Sequence, residues 1–182
     1  KNSNKIQDIF LGSRQLVEFF IDKKSNQKML NEIFSVSVAR TTDLPSGSNV
    51  CKDGNCYRVE MYNYALNGTV VGIIDLKNER VVSISFYKET QPDVPPHLIE
   101  LALEIARNDT AVIHSYGENN QLTTPLMPGT KTALNRTKCQ RSRHLCVAPT
   151  FVKGDKALWA IVDLTDLNVA GVRWTNVGET GM

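Results

Sequence analysis

The chain has 182 residues, of which 41 % are apolar and 22 % charged, and a formal net charge of +2. These proportions belong to a folded globular protein rather than a disordered one. No apolar run approaches the ~20 residues of a membrane span, and so small a net charge does not imply a polyanion partner.

The first segment reads as one helix. Ile6, Ile9, Phe10, Leu16, Val17, Phe20 and Ile21 share a face at helical spacing. Ser25-Asn26 interrupts it, and Met29, Leu30, Ile33 and Phe34 begin a second short apolar stripe. Val36 and Val38 then alternate with small polar residues, as a strand does. Pro45, Ser46 and Gly47 mark a loop over residues 43–49. From Tyr57 the period is two: Tyr57, Val59 and Met61 share a face, and Asn67-Gly68 supplies a hairpin turn. Residues 70–76 and 81–87 form the next hairpin, turning over Lys77 to Arg80.

Gln91 to Pro96 holds three prolines and reads as a linker. Pro96 suits the first turn of a helix, where its missing N–H has no partner to lose. Leu98, Leu101, Ala102, Ile105 and Ala106 form that helix's apolar face, and Asn108-Asp109 ends it. Residues 111–116 read as a strand, which puts His114 at a core or edge position. Residues 117–138 read as a long loop, and three strands over 145–151, 157–164 and 169–175 complete a second sheet.

The strongest pattern is a repeat. Val71 to Phe86 aligns without a gap on Trp159 to Trp174, an offset of 88 residues set by Asp75 and Asp163. Ile73/Ile161, Asp75/Asp163, Leu76/Leu164 and Val81/Val169 are identical, and Ile74/Val162, Ile84/Val172 and Phe86/Trp174 are close in shape. Cys51 and Cys139 lie at the same offset. Helix followed by strands, twice, predicts an α+β fold of two tandem units over residues 1–91 and 92–182.

The four cysteines fall in two close pairs, Cys51/Cys56 and Cys139/Cys146. Asp53-Gly54 is a tight-turn signal that would let Cys51 and Cys56 face each other across a hairpin. A four-cysteine zinc site helped by His144 is the competing reading, but zinc knuckles use shorter spacings; free thiols are a third. Paired disulfides imply an oxidising, extracellular compartment. Three sequons agree with a secreted glycoprotein, at Asn67, Asn108 and Asn135, although about two are expected by chance in such a composition. The chain begins at Lys1 without a methionine or an apolar leader, as expected of a processed product.

No catalytic constellation is found: there is no Gly-x-Ser-x-Gly elbow, His-Glu-x-x-His or phosphate loop. No cofactor or metal is therefore expected. His97 reads as a first-turn surface residue. Asp75 and Asp163, each before a Leu at a strand end, read as turn residues accepting backbone hydrogen bonds. Lys131, Arg136, Lys138, Arg141, Arg143 and His144 fall in a stretch without acids. Displayed on a disulfide-closed loop, the first five would suit a sulfated or carboxylated glycan, anionic lipid or an acidic protein face. The plainer reading is a solvated loop. No aromatics interleave them, so nucleic acid is not expected.

The Asp-Leu hairpin, then Gln91-Pro92, Pro95-Pro96 and the helix Leu98 to Asp109, resembles the small N-terminal domains of copper amine oxidases over residues 57–110, with a fainter echo at 157–174. The resemblance implies tandem cystatin-like units, each a helix packed on a curved antiparallel sheet, and no catalysis. That family's copper histidines and quinone belong to a separate domain, and His97, His114 and His144 lack its His-x-His spacing. The expected function is an extracellular, non-catalytic binding or structural module with a protein partner or self-assembly. The alternative is an ancillary N-terminal region of a larger oxidase of that kind.

Overall fold

The computed structural model describes residues 2–46, 49–117, 139 and 144–176. It is a mixed α+β chain with antiparallel sheets, dividing into two compact units, Lys1–Val94 and Pro95–Met182.

In the first unit, α1 (Asn2–Leu11) lays Ile6 and Phe10, four residues apart and both fully buried, onto a four-stranded sheet. The helix expected to run on to Ile21 is broken. Gly12 and Ser13 end α1, Ser13 Oγ accepts the Gln15 N–H at 3.3 Å, and a 3-10 turn (Arg14–Leu16) leads into the short α2 (Val17–Phe20). Ser13 is a strong N-cap residue, so the chain restarts there in a new direction. A second correction concerns Ile33 and Phe34. They lie not in a separate apolar stripe ahead of the strand but within it, in β1 (Asn31–Val38), where β-branched residues and the ladder to the next strand prevail.

The sheet order is β1, β2 (Cys56–Asn63), β3 (Gly68–Asp75), β4 (Arg80–Lys88), all antiparallel neighbours. Interior β3 is buried over its whole length, as expected of a strand covered on both faces. Ile6, Phe10, Leu16 and Phe19 from the helical side meet Val59, Met61, Val70 and Ile74 from the sheet to form the core. Burying side chains of this size stabilises by about 1.5–3 kcal/mol each before entropy is counted.

In the second unit, α3 (Pro96–Asn108) starts at its proline and buries Leu98, Ala102, Leu103 and Ala106. The segment read as a strand is a helix, α4 (Thr110–Tyr116), so His114 is an exposed helical residue. Asp109 causes this: its Oδ1 accepts the N–H groups of Ala111 and Val112 at 2.9 and 3.2 Å, an N-cap that outweighs the β-branched composition. The sheet comprises β5 (Cys146–Val147), β6 (Thr150–Lys153), β7 (Lys156–Asp163) and β8 (Asn168–Asn176). β5 and β6 lie along the same edge of β7 in one continuous register, interrupted where Pro149 has no N–H to give.

The repeat holds at the level of backbone geometry. β3 and β4 have the lengths of β7 and β8, and the pairings Gly68↔Lys88 and Asp75↔Arg80 recur as Lys156↔Asn176 and Asp163↔Asn168. The register slips by one residue between Ile73 and Ile74, and again between Ile161 and Val162. The last turn residue is left-handed in both hairpins, Glu79 at φ 51° and Leu167 at φ 55°. Leu76 N–H donates to Asn55 O at 3.0 Å, and Leu164 N–H to Leu145 O at 2.8 Å.

Candidate functional site

The chemistry-bearing side chains gather at one end of each sheet, where a disulfide-closed loop meets the Asp-Leu turn. Cys51 and Cys56 are bonded, with Cα atoms 5.4 Å apart, and so are Cys139 and Cys146, at 6.3 Å. The first bridge does not span a hairpin as expected. Residues 51–54 are turn, with Cys51 and Gly54 both at φ 71°, and only Cys56 belongs to a strand. The first bridge therefore clasps a turn to the start of β2, and the second joins Cys139 to the first residue of β5. Cys56 pairs with Asp75 in the ladder, and Cys146 with Asp163.

Both aspartates hold their turns as the sequence suggests. Asp75 Oδ1 accepts Asn78 N–H at 3.2 Å, while its Oδ2 accepts Asn78 Nδ2 at 2.7 Å and Arg80 Nε at 3.4 Å. These donors, the Asn78 side chain first, hold the Asp75 carboxyl below its ordinary value of 3.8. Cys51, Asp53, Lys77 and Asn78 help line a polar cleft of about 350 Å³ beside Asp75.

Asp163 is held differently. Its Oδ1 accepts the N–H groups of Thr165 and Asp166, at 2.9 and 3.1 Å. Its Oδ2 faces His144 Nδ1 at 2.6 Å, and Asp166 Oδ2 lies 3.6 Å from the same nitrogen. Sequence reasoning treated His144 as part of the basic stretch and did not bring it to Asp163. The signal available was the ladder: if Cys146 leads a strand that pairs with the one ending at Asp163, the residue two before Cys146 reaches that turn.

Lys131, Arg136, Lys138, Arg141, Arg143 and Asn135 lie outside the described residues. Asn108 is exposed at the end of α3, its Nδ2 donating to Glu104 O at 2.9 Å. Asn67 is 3 % exposed, left-handed at φ 46°, and accepts the Tyr62 hydroxyl on Oδ1 at 2.5 Å. His97 is exposed in the first turn of α3, and neither it nor His114 joins the His144 cluster.

The sheet edges are the second surface of interest. Among the described residues, β4 and β8 each pair with one neighbour only. At equivalent positions each shows an aromatic ring that is 37 % exposed, Phe86 and Trp174. Phe86 covers Gly68 and meets Phe19 with ring centroids 5.2 Å apart. Beside it, Arg14, Val17, Glu18, Phe19, Ile84 and Phe86 help line an open groove of about 560 Å³. None of the described helices is long and apolar enough to cross a membrane. No protein-family model matches the chain, and no curated protein matches it.

Proposed function

We propose that this chain is an extracellular, non-catalytic binding or assembly module built from two cystatin-like α+β units, whose working surfaces are the sheet edges. The observation that carries this reading is that β4 and β8, equivalent in the repeat, both end their sheets and both display a half-exposed aromatic. An edge strand offers N–H and C=O groups to an incoming strand, and flanking aromatics add apolar area to that pairing. The two disulfides are compatible with an oxidising compartment.

The test is sedimentation of the full oxidised chain at rising concentration and high salt, beside Y87K and W174K. Tyr87 is 48 % exposed on β4, so a lysine there costs the fold little. The reading requires self-association that survives salt and weakens in the variants. A wild-type chain that stays monomeric throughout would falsify self-assembly.

The alternative, an ancillary region of a larger copper amine oxidase-like enzyme, is supported by the helix at Pro96–Asn108 following the proline-rich linker, as the resemblance implies. It requires the natural polypeptide to continue past Met182 into a domain with His-x-His ligands. The length of the native transcript decides this.

A further inference from the structure

We propose that the turn after β7 is a binding site for one divalent transition-metal ion, with Zn²⁺ the best match, on His144 Nδ1 and on Oδ2 of Asp163 and of Asp166. This contradicts the expectation from the sequence that the chain holds no metal, and it stands apart from the assembly reading.

Geometry is the first ground. The three donor atoms lie within 4.8 Å of one another. Zinc binds such ligands at about 2.0–2.2 Å, which puts neighbouring donors of a tetrahedral site about 3.3 Å apart. The 3.6 Å from His144 Nδ1 to Asp166 Oδ2 already suits a shared ion, and the 2.6 Å to Asp163 Oδ2 needs to open by less than about 1 Å.

The second ground is the comparison the repeat provides. In the first unit, Asn78 and Arg80 point donors at Asp75. At the equivalent positions of the second unit stand Asp166 and Asn168, so an amide donor has become a carboxylate and a guanidinium has been lost. Asp163 has spent Oδ1 on its turn, its side chain is only 8 % exposed, and a second carboxylate shares the space. Two carboxylates brought together, one of them buried, repel unless a cation joins them. A divalent ion matches their charge, and the imidazole supplies a third, neutral ligand.

Preorganisation is the third ground. Leu145, next to His144, donates its N–H to Thr165 Oγ1 at 2.9 Å and accepts Leu164 N–H at 2.8 Å. Cys146 then fastens the segment by its disulfide and its pairing with Asp163. Both arms of the site are thus held before any ion arrives, which reduces the ordering cost of binding. Asp166, with its side chain 55 % exposed, leaves a path from solvent.

The donor chemistry sets the choice of ion. One imidazole nitrogen and two carboxylates suit Zn²⁺, with a fourth position for water. Ca²⁺ and Mg²⁺ favour all-oxygen sites of six or more ligands. The adjacent cysteines are bonded to each other and cannot contribute thiolate.

The experiment uses the full oxidised chain stripped of metal, titrated with Zn²⁺ in a calorimeter and with Co²⁺ as a spectroscopic stand-in. Expected is one ion per chain, visible Co²⁺ bands of a low-coordinate site, and affinity reduced at least about tenfold in H144Q and in D166N. The double variant H97Q/H114Q should bind as wild type. D166N alters an exposed side chain, and its unfolding midpoint without metal should stay unchanged while the Zn²⁺-induced rise in midpoint is lost. Absence of uptake by the wild type overturns the proposal and leaves these carboxylates to protein donors. Uptake unchanged in H144Q and D166N overturns it equally, by placing the ion elsewhere.

Discussion

Gly72 is, with Gly68, one of two glycines among the described residues where the fold leaves no room for a Cβ. A Cβ built there falls 2.5 Å from both Cδ2 and Cε2 of Phe10, whose ring is fully buried between α1 and β3. Carbon atoms in contact sit about 3.5–4.0 Å apart, so in G72A the ring or the helix must move by about 1 Å or more. Overpacking of this kind costs about 1–3 kcal/mol, and with two ring atoms crowded inside a closed core the upper end applies. Replacing Gly by Ala returns about 0.4–1 kcal/mol by restricting the unfolded chain. The net expectation for G72A is about 2 kcal/mol of destabilisation, or roughly 8–16 °C off the transition of the N-terminal unit. Thermal and urea unfolding, followed by circular dichroism, measure it. Gly171 is the control, since a Cβ there meets nothing within 4 Å, and G171A should stay within about 0.5 kcal/mol of wild type. In the double variant F10L/G72A the smaller side chain relieves the clash, and the combined loss should fall below the sum of the single losses. If G72A unfolds within about 0.5 kcal/mol of wild type, Phe10 does not rest on Gly72 and the packing of α1 on β3 is wrong.

Two further outcomes concern titration. Burial first, then the hydrogen bond to Glu32 at 2.8 Å and that residue's charge, push the Tyr64 hydroxyl well above its ordinary value of 10.0. A raised acid favours its neutral form in the fold, so this stability is complete below pH 10 and declines as pH rises beyond it. Ultraviolet titration should show a late tyrosine step that Y64F removes, and a late step unchanged in Y64F would contradict it. Asp75 has the opposite sign. Its carboxyl is held low by Asn78 and Arg80, so its contribution is present above pH 3.8 and is lost as pH falls through the lowered value. The urea midpoint of the wild type should therefore drop more steeply than that of D75N between pH 5 and pH 2.5, and equal slopes would dissociate Asp75 from acid stability.

The hairpins were legible because their signals are local. An Asp that accepts hydrogen bonds from its own turn, a following Leu and alternating β-branched residues specify one short loop and one register without help from elsewhere. The helix at Pro96 was legible for the same reason. Residues 110–116 were not, because Thr-Ala-Val-Ile satisfies both a strand and a helix by composition. The decision lay with Asp109, which sequence reading took as the end of one helix rather than the cap of the next. Gly12-Ser13 was overlooked likewise, since the apolar stripe continues past the break at nearly the right phase. At the site, the turn role of Asp163 could be read, but the approach of His144 depends on a ladder between distant strands. A burial effect was also hidden: Asn67 reads as an exposed turn residue, whereas it is buried and accepts the Tyr62 hydroxyl.

The equality of the two hairpins has a consequence for how the chain reaches this structure. β3–β4 and β7–β8 share length, slip and turn, so during folding each strand meets two partners of compatible register, one native and one from the other copy. Exchange between such copies is a known hazard of repeated domains. The disulfides tie neither hairpin to its own unit, because each closes within the lead-in to a sheet. Discrimination falls instead to the unlike residues at matching positions, among them Gly72, which seats the Phe10 ring, and Ala160, which carries a Cβ there. The glycine that seats one aromatic ring thus also marks one hairpin off from its counterpart of the same length and register.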